Sequence, residues 1–137
     1  MTTDNPDELF RQKLVALTLT LNIDPHVADN QVLDRVALSF RKLLNFLSED
    51  SERSQLAFDA QAKNALVSAI GDNFAQCQEG GLFRKDISAR WLARSFVGML
   101  DQMREEPADA ALRHQQSIAC AKILCEGMWP GAADSRV

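Results

Sequence analysis

The chain has no tyrosine, two histidines and three cysteines among its 137 residues. These shortages remove most routes to catalysis. Without tyrosine, one common general acid is missing. Neither His26 nor His114 has a cysteine, histidine or carboxylate neighbour at metal-ligand spacing. Cys120 and Cys125 are five residues apart, which sets them about 140° apart around a helix. No metal site is expected, and Cys77, Cys120 and Cys125 read as half-buried thiols. Nothing near His114 orients it as the base of a nucleophile pair. No glycine-rich phosphate loop exists, because Gly80-Gly81 follows a helical pattern and reads as a helix stop. The carboxylates Glu105-Glu106 and Asp4, Asp7 and Glu8 fall at predicted helix ends, where they are solvated. No catalytic residue and no cofactor are expected, and the chain does not read as an enzyme.

Long apolar runs are missing too. No stretch approaches the roughly 18 apolar residues of a membrane span. The opening MTTDNPDELF is acidic and lacks the charged-then-apolar order of an export signal. An odd cysteine count in such a chain points to free thiols in a reducing, cytoplasmic setting. Basic excess is absent: the net charge is −4, which repels phosphate. An internal helix-turn-helix from Leu14 to Phe46 finds no support, since Asp24, Asp29 and Asp34 offset Arg35, Arg41 and Lys42.

What is present is helical periodicity. Glycine and proline number six and four, and no run alternates long enough for a strand. A first helix is predicted from about Pro6 to Leu21, with Asn5 as N-cap and Asp7 and Glu8 at the positive end of the dipole. Asn22 to Asn30, with Pro25, reads as a connector. A second helix from about Asp29 to Ser48 places Val32, Leu33, Val36, Phe40, Leu43, Leu44 and Leu47 on one face. SEDSERS, residues 48–54, reads as a polar link. A third helical region to about Gln78 puts Leu56, Leu66, Val67, Ile70, Phe74 and Cys77 together, with Gly71 as a possible break. Gly80-Gly81 end it, one of them left-handed.

The run from Gly80 to Met103 is the most informative. Asp86 or Ser88 can cap a fourth helix from about Ser88 to Arg104. Its apolar arc, with Trp91, Leu92, Phe96, Met99, Leu100 and Met103, spans roughly 200°, about double what a one-sided helix needs. Pro107 suits the start of a fifth helix, about Ala108 to Met128. That helix has one stripe of Ala111, Ile118, Ala121, Leu124, Cys125 and Met128 and a narrower one of Leu112, Ala119 and Ile123. Gly127 and Trp129-Pro130-Gly131 terminate it. The fold expected is all-α, an antiparallel bundle of about five main helices. Two wide-faced helices point to a second subunit.

From about Val32 to Gly127 the chain resembles the regulatory domain of TetR-type transcriptional regulators. The resemblance rests on DRVALSFRKLLNFL, SERSQLAF, ALVSAIGDNFAQCQEGGLFRKDIS, ARWLARSFVGML and ILCEGMW in this order. It implies one domain over residues 1–137, with residues 1–5 and 130–137 frayed. It implies a homodimer in which the last two helices of each subunit form a four-helix bundle. The interface candidates are Phe96, Gly98, Met99, Met103, Ile118, Ala121, Cys125 and Met128. It also implies a pocket for a small apolar effector. Phe40, Leu44, Leu66, Ile70, Phe74 and Trp91 are its lining candidates, with Asn64, Asn73 and Ser95 as polar groups able to orient a ligand. The interface candidates equally suit a monomer core, and large apolar residues at helical spacing such as the pocket candidates suit a core better than a pocket. In such regulators a DNA-binding head precedes this domain. Its signature includes a tyrosine and a His-Phe pair, and neither stands in this sequence. The chain by itself is therefore expected to bind no nucleic acid. A helical module that docks a protein partner and holds no small ligand answers the same pattern.

Overall fold

The computed structural model describes residues 5–128, with side chains through Glu126. Six α-helices are present among the described residues: α1 Pro6–Thr20, α2 Val32–Glu49, α3 Ser51–Ser54, α4 Ala60–Glu79, α5 Ala89–Arg104 and α6 Ala110–Met128. Two 3-10 turns, Asp29–Gln31 and Gln55–Phe58, precede α2 and α4. No strand occurs among the described residues, so the fold is all-α.

The helix starts follow local chemistry. Asn5 accepts from the Asp7 amide at 2.9 Å, Asp59 from Ala62 at 2.8 Å and Ser88 from Trp91 at 3.1 Å. Asp86, the other cap candidate for α5, instead pairs with Arg84. Asp109 accepts from Leu112 at 2.8 Å, so α6 opens at Ala110 and Pro107 stays in the link. The expected polar link also proves helical. Asp50 caps α3 and holds Arg53 at 2.7 Å, while the same guanidinium reaches Asp7 at 3.0 Å. That guanidinium keeps the Asp50 carboxyl below its ordinary range. Leu56 consequently lies in the 3-10 turn rather than on the α4 stripe. Gly71 does not interrupt α4. The predicted stop at Gly127 and residues 129–131 lies outside what the structure describes.

The core is organised on α2, whose Val32, Val36, Phe40, Leu43, Leu44 and Leu47 are all buried. Phe40 stacks on Phe96 of α5 at 4.1 Å, and Leu47 shares a groove with Met103, so these two helices run the same way. Arg113 of α6 donates to Asn45 at 2.7 Å, while Ile118 lies toward Asp34, so α6 runs against α2. The edge of Phe74 on α4 meets both Phe83 and Phe96.

Gly81 carries φ +84 and supplies the left-handed stop after α4. Gly80 has a different task. A Cβ there would stand 2.8 Å from the Pro25 carbonyl oxygen, so the glycine lets the α1–α2 loop lie against the end of α4. Gly80→Ala is expected to lose about 1–3 kcal/mol through this backbone clash. Gly81→Ala, with open space at its Cβ, is expected to lose about 1 kcal/mol through its dihedral alone. Urea denaturation of both variants checks the order.

Candidate functional site

The loop after α1 closes one side of the bundle, and a single side chain fixes it. Asn73, only 5% exposed, accepts from the Ile23 amide at 2.8 Å and donates to the Ile23 carbonyl at 2.9 Å. Its amide thus satisfies both backbone groups of a buried loop residue. The Cys77 thiol adds a weaker contact to the same carbonyl at 3.7 Å. Beneath this clamp lies a cavity walled by Leu21, Val36, Leu43, Ile70, Phe74 and Phe96, with Thr18, Asn22, Ser39 and Asn73 as polar members. Its volume is about 20 Å³, room for one water. Thr18 and Ser39 already donate to carbonyls of their own helices, those of Leu14 and Arg35. No charged side chain lines it. The space can take an uncharged, mainly apolar group only if the loop yields.

Of the pocket candidates, Ile70 and Phe74 line this cavity. Phe40 and Leu66 are buried in the core around it. Leu44 borders a second cavity of about 150 Å³ with Leu47, Met103, Arg104, Arg113 and Gln116. Gln116 donates to Glu106, but its own amide oxygen is buried without a partner. Trp91 belongs to neither cavity, being 66% exposed. Of the polar candidates Asn73 reaches the clamped cavity; Asn64 is exposed in a separate surface groove beside Val67 and Arg90, and Ser95 is exposed. Sequence reading missed Thr18, Leu21, Ile23, Val36, Ser39 and Leu43 as lining. Asn73 carried the available signal, a polar residue inside the apolar stripe Leu66–Ile70–Cys77.

The interface candidates divide as well. Phe96, Ala121 and Cys125 are buried in the core, and Met99 and Met103 pack against it half-buried. Ile118 is half-buried in a groove beside α2, and Gly98 is exposed with open space where a Cβ would stand. Met128 lies outside the described side chains. α5 presents outward Trp91, Ser95, Gly98 and Gln102, a stripe at helical spacing flanked by the exposed Arg90 and Arg94. On α6 the outward face carries Ala119 and Ile123, the latter 66% exposed. Because α5 and α6 run in opposite directions, Trp91 and Ile123 lie toward the same end of the pair.

The three cysteines are free and buried. Burial raises the Cys77 thiol to about 11, helped by the Asp24 charge, and Cys125 to about 12; Cys120 is raised by burial alone. Among the described residues no group of three metal-ligating side chains gathers, and no helix is long and apolar enough to cross a membrane.

Asn73→Ala orphans the Ile23 amide and carbonyl and is expected to cost about 1–3 kcal/mol. Hydrogen exchange at the Ile23 amide should quicken more than exchange in α6. The thiols are expected to stay silent toward a disulfide reagent at pH 8 in the native protein and to react in guanidinium. Absorbance of the released thiolate counts them.

Neither a protein-family model nor a solved structure matches the chain. It is similar to the uncharacterized HTH-type transcriptional regulator YdgC of Bacillus subtilis (strain 168). The two are 25% identical over 134 residues, covering 93% of this chain and 69% of that protein. A likeness over nearly the whole chain to such a protein supports a part in transcription regulation.

Proposed function

We propose that this chain is the effector-sensing and dimerisation domain of a TetR-type transcription regulator. The outward face of α5 and α6 carries the reading. Trp91 and Ile123, each 66% exposed, are the large apolar side chains that these two helices leave outside the core. Around them are Ser95, Gly98 and Ala119, small enough to admit a neighbouring helix closely. Two such faces related by a two-fold axis would make a four-helix bundle. A stable dimer needs about 800 Å² from each partner, which two helices of this length can supply.

In this reading DNA is contacted by a head outside these residues, and no catalytic step is assigned to the chain. The clamped cavity is the place for a small, uncharged, apolar effector. Such a ligand would favour the arrangement with the Ile23 loop displaced, and the shift would reach the paired helices through Phe96. A second reading, a dimerising or partner-docking bundle without a ligand, draws support from the closed state of that cavity, about 20 Å³.

Light scattering at micromolar concentration is expected to return the mass of a dimer. Ile123→Glu and Trp91→Glu should each yield a monomer with unchanged helicity, since neither side chain belongs to the core. A wild-type monomer at high concentration would sink the proposal. A dimer that survives both substitutions would move the interface elsewhere.

A further inference from the structure

Six arginines among the described residues are half-buried, and five of them have partners. Arg11 pairs with Asp59, Arg53 with Asp7 and Asp50, Arg84 with Asp86 and Arg104 with Asp101. Arg113 donates to Asn45 and to the Ala108 carbonyl. Of these six, only Arg41 has neither an ion pair nor a hydrogen-bond acceptor for its guanidinium among the described residues; the exposed Arg35, Arg90 and Arg94 have none either. It lies in a groove of about 440 Å³ between α2 and α6. The groove's other lining residues are Ala37, Leu38, Ser117, Ile118, Arg35, His114 and Asp34.

The polarity of the groove follows from the helix directions. Arg113 holds Asn45, one turn beyond Arg41, so His114 lies toward the Arg41 end. Asp34 lies two turns back along α2, at the opposite end. Between them Ala37, Leu38 and Ile118 make an apolar floor. Ser117 contributes little polarity, because its hydroxyl is committed to the Arg113 carbonyl at 2.7 Å. The result is an apolar trough with a half-buried, uncommitted cation at one end and the exposed Arg35 beside Asp34 at the other, on a protein of net charge −4. A guanidinium held beside an apolar surface matches a carboxylate in shape and charge. Ile118 and Ile123 are about 140° apart around α6, so the trough is separate from the face carrying Trp91 and Ile123.

We propose that this groove binds a monocarboxylate with an apolar chain, its carboxylate on Arg41 and its chain along Ala37, Leu38 and Ile118. The site does not depend on the clamped cavity or on the dimer.

Titration calorimetry of the full chain with decanoate below its micelle concentration, and with decanol as the uncharged match, tests it. Decanoate is expected to bind more tightly than decanol. Arg41→Gln should weaken decanoate by about tenfold and leave decanol unchanged. The variant should melt like wild type, because Arg41 has no partner to lose. Ile118→Ser should weaken both ligands. Equal binding of the two ligands, or decanoate binding indifferent to Arg41→Gln, overturns the proposal, as does absence of binding. Ser39→Leu fills the clamped cavity instead; if it abolishes decanoate binding while Arg41→Gln does not, the ligand sits in the core and the groove is excluded.

Discussion

Phe40 has no exposed surface, and three helices are arranged around it. Its ring lies flat on Phe96 of α5, and Phe96 in turn takes the edge of Phe74 from α4. Stacked and edge-on aromatics tolerate little rotation, so this triad fixes the roll of α5 about its axis. Once Phe96 faces inward, Leu92, Ala93, Val97 and Leu100 must follow it into the core. Trp91, Ser95 and Gly98 are then left on the outside. The outward face is thus a by-product of one buried contact. Replacing Phe96 by a small residue would open a cavity and also release the orientation of that face.

The clamp on Ile23 solves a different problem. A loop passing over a core must satisfy its backbone polar groups, and Ile23 is buried away from bulk solvent. Asn73 supplies one acceptor and one donor in a planar amide, a fit that neither aspartate nor leucine can copy. The arrangement closes the bundle with two amide hydrogen bonds, one thiol contact and the packing of one loop.

Much of this was legible in the residues. Asn5, Ser88 and Gly81 act as their types and positions predict, and the one-sided stripe of α2 faces the core as read. The wide apolar arc of α5 was visible, but periodicity cannot say which edge of an arc turns inward, and Trp91 was therefore grouped with the pocket. The helical link was hidden for another reason. SEDSERS looks like a solvated charge run until Arg53 is seen to join Asp50 locally and Asp7, 46 residues away in sequence. Pairings of that range, and the Asn73–Ile23 clamp across 50 residues, have no periodic signature.

The first helix is anchored by two kinds of bond with different sensitivities. Near its start, Asp7 and Arg11 are held by partly exposed ion pairs to Arg53 and Asp59. Just past its end, Ile23 is held by a buried amide clamp. Dissolved salt weakens the first kind and hardly reaches the second. The start of α1 therefore keeps its hold on the bundle in salt through Phe10, which is buried and stacks on Phe46 at 5.1 Å, and only the ion-paired surface around it loosens as ionic strength rises.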